Sequence, residues 1–310
     1  MSASDPGIAM NEASDKPVAP AAPTDVDSAP AAAMPANKQG TDWWGEIKGI
    51  FWLVLAVLAF HSFVAKPFYI PSESMMPTLI KGDRLVVSKY PYGWSWVSPS
   101  FHVMPPMPGR VFGSVPERGD IVIVTPRGQK ADYIKRVIGL PGDRLEMIDG
   151  QIILNGVPVQ RQEEEPIMIP VDGNVPCLPD EFGDQRVAGP NGQIFCRLPR
   201  FRETLPNGKS YDTIDMGYSQ VDDFAPIRIP AGQLFLMGDN RDKSADSRVA
   251  SERQGLGGPV PIENIGGRAE FITFSLDGSS QYLNPISWFT ALRGGRAGGS
   301  LHPQQTAPAE

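Results

Sequence analysis

Asp132-Tyr-Ile-Lys-Arg-Val-Ile-Gly-Leu-Pro-Gly-Asp-Arg-Leu-Glu-Met-Ile-Asp-Gly150 carries a strand, a turn and half a hairpin in one run. Tyr133 to Ile138 is rich in aromatic and β-branched residues, which suit a pleated surface. Gly139-Leu-Pro-Gly-Asp143 reads as a turn. Arg144 to Ile148 reads as a second strand, and Asp149-Gly150 is a hairpin signal. Outward from this core, Gln151 to Leu154 is a third strand, closed by Asn155-Gly156. Upstream, Asp120-Ile-Val-Ile-Val-Thr125 reads as a buried strand. Downstream, Leu234 to Met237 and Ala269 to Phe274 are further short strands. Gly and Pro number 32 each, which also favours turns and strands over a helical bundle. The predicted fold is mainly β: an antiparallel β-sheet main domain over 67–160 and 229–293. An acidic, Pro/Gly-rich β-lobe is inserted at 161–228.

One apolar run breaks this pattern. Gly49 to Ala65 is about long enough to cross a bilayer. Trp43 and Trp44 on one side, and Lys66, Phe68 and Tyr69 on the other, suit the two interfaces. Bulky Phe63 argues against cleavage after Ala65, so 43–66 reads as an uncleaved anchor. Basic residues flank it almost evenly, with Lys38 and Lys48 before and Lys66, Lys81 and Arg84 after. Its orientation does not follow from charge. Residues 1–42 are rich in Ala, Pro, Asp and Ser and read as a disordered tail. The end, 294–310, reads the same way. Trp288-Phe-Thr-Ala-Leu-Arg293 is short and amphipathic, with Trp288 and Phe289 suited to a lipid interface.

The net charge of -7 speaks against a nucleic-acid partner. Cys177 and Cys196 are the only cysteines, and the three histidines are scattered, so the ligand set of a structural zinc is lacking. No metal and no cofactor are expected. The cysteines fit either a disulfide or two buried thiols. A Ser-His-Asp triad finds no suitable histidine. His61 lies in the anchor, His102 in a Pro-rich loop and His302 in the tail. A serine activated by lysine remains. Such a lysine must be neutral, and burial in an apolar site achieves that. Lys135, beside Tyr133 and Val137 on one strand face, is the candidate. Read alone, it also fits an edge-strand lysine that snorkels to water. Ile70-Pro-Ser-Glu-Ser-Met-Met-Pro-Thr-Leu79 offers two serines held between prolines, or simply a Ser/Pro loop. Gly238-Asp-Asn-Arg-Asp-Lys-Ser-Ala-Asp-Ser-Arg248 is either a solvated loop or a polar network supporting a site.

Together these patches resemble the boxes of bacterial type I signal peptidases. Ser-x-Ser-Met-x-Pro-Thr-Leu after an anchor resembles the nucleophile box, and Arg118-Gly-Asp-Ile-Val122 the next. Tyr133-Ile-Lys-Arg-Val-Ile-Gly-Leu-Pro-Gly-Asp143 resembles the lysine box, and Gly238 to Arg248 the last. The resemblance spans about Phe63 to Phe274. It implies Ser74 as nucleophile, Lys135 as general base, Ser72 as oxyanion donor and Ser244 as orienter of the lysine. Tyr133, Arg136, Asp239, Arg241, Asp246 and Arg248 would support the site. Lys243 departs from the family, which more often has Asn there. Ile70, Met75, Leu79 and Ile134 would line shallow pockets for small residues, though they also suit plain core packing. The implied activity is endopeptidase removal of signal peptides from exported preproteins, after Ala-x-Ala. The implied place is the bacterial inner membrane: single-pass, monomeric, in contact with the lipid bilayer, with the catalytic domain in the periplasm. A self-cleaving Ser–Lys repressor would need a DNA-binding helical domain, and an acidic tail stands there instead. A catalytically dead tethered binding domain would not need Ser74 and Lys135.

Overall fold

The structure, a computed structural model, describes residues 42–305 apart from 103, 127, 130 and 282. The expected tail segments 1–41 and 306–310 lie outside the described residues. Helix α1 (Trp43–Phe63) is apolar on every side. Among the described residues it is the one helix long and apolar enough to cross a membrane. Its last turn docks on the body. Ser62 Oγ donates to Ser100 Oγ at 3.1 Å and accepts from Ser100 N at 2.9 Å. The Trp94 indole donates to Phe63 O at 2.8 Å. The chain then passes directly into strand β1 (Ala65–Tyr69). Ala65 and Lys66, expected within the anchor, are strand residues paired with Ser88 and Val87. Composition alone does not mark this boundary, because Val64 and Ala65 are as apolar as the helix.

The remaining strands follow in order. They are β2 (Asp83–Ser88), β3 (Ile121–Val124), β4 (Tyr133–Gly139), β5 (Arg144–Ile148), β6 (Gln151–Leu154) and β7 (Val157–Pro158). The lobe adds β8 (Gln160–Pro170), β9 (Arg186–Ala188), β10 (Ile194–Thr204) and β11 (Lys209–Ile214). Then come β12 (Phe224–Arg228), β13 (Gln233–Met237), β14 (Val260–Pro261), β15 (Ile265–Ser275) and β16 (Gln304–Gln305). Two short helices are α2 (Pro179–Phe182) and α3 (Pro285–Thr290). The fold is mainly β, with antiparallel strand pairs throughout. Seven strands form the central sheet in the order β1-β2-β15-β3-β4-β13-β14. A second sheet runs β16-β11-β10-β8, with β9 on β10, and a third runs β12-β5-β6-β7. From Ile47 onward the chain is one compact unit.

Strand β3 shows why Ile121-Val-Ile-Val124 lacks polar alternation. Ile121 and Ile123 enter one core cluster, while Val122 and Val124 enter another. Both faces are covered, so both must be apolar. The hairpins form as their sequence signals require. Asp149-Gly150 and Asn155-Gly156 both have positive φ at each residue, the backbone of a type I′ turn.

Two boundaries differ from expectation. Phe224–Arg228, assigned to the inserted lobe, pairs with β5 in the hairpin sheet. The tail after Gly294 is ordered at least to Gln305. Leu301 is buried against the core that contains Ile70 and Leu79, Arg296 pairs with Asp83, and Gln304 pairs with Ser210. One buried Leu contributes roughly 1.5–3 kcal/mol. That, with an ion pair, anchors a segment whose average composition resembles a disordered one. Within the lobe, Cys177 and Cys196 form a disulfide with Cα atoms 5.7 Å apart. This resolves the alternative that the sequence left open.

Candidate active site

The turn between β1 and β2 carries the two serines. Ile70 N donates to Asp83 O at 3.0 Å, and Gly82 N to Ile70 O at 3.0 Å, closing its base. Inside it, Leu79 N donates to Met75 O at 2.8 Å. Met75 and Leu79 are fully buried and pin the turn to the core. Ser74, 5% exposed, is thereby held at the edge of a cleft.

Strand β4 brings Lys135 to the same place. Its Nζ donates to Ser74 Oγ at 3.0 Å and to Ile134 O at 3.0 Å. The Tyr133 ring centroid lies 5.6 Å from the amine. Burial pushes the Lys135 amine down to about 8. Asp246 and Asp239 act to raise it, and Arg248 adds to the lowering. Ser72 Oγ lies 3.4 Å from Ser74 Oγ. Ser244 behaves differently from expectation. Its Oγ is buried with no hydrogen-bond partner among the described residues, so the expected bond to Lys135 is not formed. Instead Ser244 is pressed against Gly238. A Cβ on Gly238 would lie 2.2 Å from Ser244 Oγ and 2.4 Å from Ser74 O. Gly238→Ala is therefore expected to displace both serines and to cost about 1–3 kcal/mol by overpacking. Urea unfolding and peptide hydrolysis of the variant, measured together, check this; unchanged activity would contradict the close packing.

The supporting residues form a buried network. Arg136 binds Asp239 through two bonds, Nε to Oδ1 at 2.7 Å and Nη2 to Oδ2 at 2.6 Å. Thr78 Oγ1 donates to Asp239 Oδ2 at 2.6 Å, linking the pair to the serine turn. Asp246 accepts from Gly238 N at 3.0 Å and from Arg248 Nη2 at 2.9 Å. Burial works to raise the Asp246 carboxyl, but Arg248 and the Gly238 N–H together hold it below its ordinary value. Arg241 Nη2 donates to Glu203 Oε2 at 2.6 Å, and Tyr211 OH donates to the same oxygen at 2.8 Å. Asn240 N donates to Ser74 O at 3.1 Å, and Ile214 N to Asp239 O at 2.9 Å. The lobe thus helps to hold the loop that holds Ser74. Thr78, Glu203 and Tyr211 were not among the expected residues. Thr78 lies inside a recognised motif and could have been noticed, but Glu203 and Tyr211 carry no local signal.

The cleft measures about 310 Å³. Ile70 and Ile134 line it, as expected, with Phe68, Tyr69, Pro71, Ile123, Ala131, Asp132 and Tyr133. Met75 and Leu79, also expected there, point into the core instead. The turn has no fixed period from which their direction could be read. Lys243 and Ala245 complete the lining. The Lys243 ammonium sits 5.3 Å from the Phe182 ring centroid. One further charged group had no sequence signal. Asp215, Asp222 and Asp242 bring carboxylate oxygens within 4.8 Å of one another. Arg161 lies 2.6 Å from Asp215 and Arg248 3.9 Å from Asp222, so two of the three carboxylates have a cationic neighbour.

Residues 43–274, which include every element of this site, match the family model described as signal peptidase, peptidase S26. The chain belongs to that family. It is a serine endopeptidase. Its relatives include a signal peptidase I from Rickettsia typhi, 35% identical over 74% of this chain and 80% of the relative. Another, from Rickettsia conorii, is 34% identical over 77% and 81%. A crystal structure of a signal peptidase I from Enterococcus faecalis is 21% identical, covering 50% of this chain and 97% of that one, with a TM-score of 0.26. In the peptidase described here, the C-terminal strap that carries Arg296 and Leu301 lies beyond the residues matched by the family model.

Proposed function

We propose that this peptidase removes signal peptides from exported preproteins by cutting after Ala-x-Ala, with Ser74 as nucleophile and Lys135 as general base. The observation that carries this reading is a buried lysine amine, lowered to about 8, at 3.0 Å from a buried serine hydroxyl. At pH 7.5 such an amine is neutral in roughly a quarter of molecules, against ~0.1% for an ordinary lysine. Lys135 takes the Ser74 proton as Oγ attacks the substrate carbonyl. Ser72 Oγ and the Ser74 backbone N–H donate to the developing oxyanion. Lys135 then passes the proton to the leaving amine, and a water activated by the same lysine hydrolyses the acyl-enzyme. Ser244, the buried hydroxyl left without a partner, is available to orient the amine. Asp239, Arg241, Asp246, Arg248, Arg136 and Tyr133 hold these groups in place.

The substrate adds as a strand. β4 pairs with β3 from Tyr133 to Arg136, but β13 covers its other edge only from Arg136 onward. The backbone of Tyr133–Lys135 therefore has no strand partner on one edge at the cleft, which suits strand addition. Ile70 and Ile134 favour small apolar side chains at the cut. Helix α1 anchors a monomer in the inner membrane by a single pass, with the catalytic body on the periplasmic side. The disulfide supports an oxidising compartment for that body. The test is cleavage of a preprotein whose signal ends in Ala-x-Ala, with the product mapped by mass. The native chain should cut after the final Ala, and Ser74→Ala should not. A cut elsewhere, or a cut that survives Ser74→Ala, would remove the reading.

A further inference from the structure

The long loop between β2 and β3 is built unlike the rest of the surface. The chain is 20% charged, yet Trp94 to Pro116 holds a single Asp, Glu, Lys or Arg, namely Arg110. That guanidinium is consumed internally. It donates to Tyr92 O at 2.8 Å, Gly93 O at 2.7 Å, Ile262 O at 2.8 Å and Ile265 O at 2.9 Å. The loop is therefore clamped to the body by its one charge and by the buried Trp96 and Val97, while a group of its apolar side chains is turned outward. Phe101 is 80% exposed and Phe112 83% exposed. Both have positive φ, 67° and 52°, a conformation unfavourable for a bulky residue. Val111 and Val115 are exposed as well.

The position of the loop indicates what covers these side chains. Ser100 is hydrogen-bonded to Ser62, and Trp94 to Phe63, in the last turn of α1. The Trp94 ring packs edge-on against Phe63 at 6.4 Å and against Phe112 at 6.2 Å. An aromatic chain thus runs from the end of the apolar helix to the loop tip. The apolar tip continues the apolar surface of α1 at the point where that helix meets the body. Aromatic and aliphatic side chains with no net charge of their own suit the headgroup–acyl boundary.

We propose that the Trp94–Pro116 loop is a second membrane contact, which inserts Phe101 and Phe112 into the lipid interface beside the exit of α1. The occupant is the bilayer itself, and the inference rests on reading α1 as a membrane span. With two points of attachment, the body is held at one tilt instead of swinging on its helix.

The full chain is placed in liposomes of phosphatidylcholine and phosphatidylglycerol. The native cysteines are disulfide-bonded, so Phe112→Cys gives one site for an environment-sensitive fluorophore. Phe289→Cys, on α3, is labelled in parallel. The expected result is blue-shifted emission at 112 that is quenched by lipids brominated in the acyl chain. Water-like, unquenched emission at 112 overturns the proposal, as does protection that appears only at high protein density, which would mean a second copy covers the loop. Burial at 289 without burial at 112 overturns it too. In the same liposomes, the Phe101→Ser/Phe112→Ser double variant should cut a membrane-inserted preprotein several-fold more slowly. Its hydrolysis of a short soluble peptide in detergent should be unchanged. An equal loss on both substrates would assign the loop to folding and sink the proposal. Flotation with the liposomes tests α1 separately. Protein that floats with 112 in water refutes the loop and leaves the anchor intact.

Discussion

Replacing Lys135 with Met is expected to abolish peptide hydrolysis and, at neutral pH, to make the fold more stable. The first effect follows from losing the base 3.0 Å from Ser74 Oγ. General base removal costs ~10²–10⁴-fold, and more where nucleophile and base act as a unit. The second effect follows from the direction of the pKa shift. The Lys135 amine lies at about 8 in the folded protein, against an ordinary value of 10.5. Between these values the unfolded chain binds more protons than the folded one, so native stability rises with pH through that window. Below about 8 the folded protein bears the full cost of burying this lysine, about 3 kcal/mol. Met fills a similar volume without that cost, though it gives up hydrogen bonds worth roughly 1 kcal/mol each. Urea unfolding at pH 7 should show the variant more stable, with the gain shrinking as pH approaches 10.5. A gain that does not change with pH would mean that the buried amine is not its origin. The native rate should climb about tenfold per pH unit at acid pH and level off above about 8.

Asp239→Ala is expected to have the largest stability effect of any single change at the site. Arg136 is fully buried and held by Asp239 through two bonds. Its Nη1 donates to Gly119 O at 2.7 Å, and its guanidinium lies 4.2 Å from the Tyr211 ring centroid. Removing Asp239 leaves a guanidinium out of water without its counter-charge. Breaking a buried pair from one side costs roughly 3–5 kcal/mol. Thr78 also loses its acceptor, so the serine turn should loosen and hydrolysis should fall together with stability. The double change Asp239→Leu/Arg136→Met removes both charges. It should recover much of the stability, because well-packed apolar replacements of buried pairs are often neutral or better. Chemical denaturation of the three forms measures this. If the double variant is no more stable than Asp239→Ala, the unpaired charge is not the main loss.

Local patterns made much of the central sheet readable. Ile121–Val124 and Tyr133–Gly139 stand out because both of their faces are buried. The two Gly hairpins stand out because few residues accept positive φ. The Ser74–Lys135 pairing was legible only through motif resemblance, since 61 residues separate them. The lobe was harder. β8 begins Gln-Arg-Gln-Glu-Glu-Glu, and its side chains are mostly exposed, so apolar periodicity hardly marks it. Its order comes from pairing with β10, a partner that no window of sequence contains. Glu203 is invisible for the same reason: its meaning depends on Arg241, 38 residues on. Met75 and Leu79 are expected in the cleft because they are apolar residues within the motif that carries the serines. The tight turn sends them into the core.

Strand β1 also acts as a ruler. It joins the end of α1 to the serine turn with almost no slack, and Phe63 to Ile70 can span at most about 23 Å at ~3.3 Å per residue. With α1 in the bilayer, the cleft can therefore stand no farther than that from the point where the helix ends. A preprotein held by its own apolar segment in the same bilayer has to cover a comparable height in extended form. About seven extended residues at ~3.3 Å each between that segment and the cut would do so, and a substrate much shorter there would not reach Ser74.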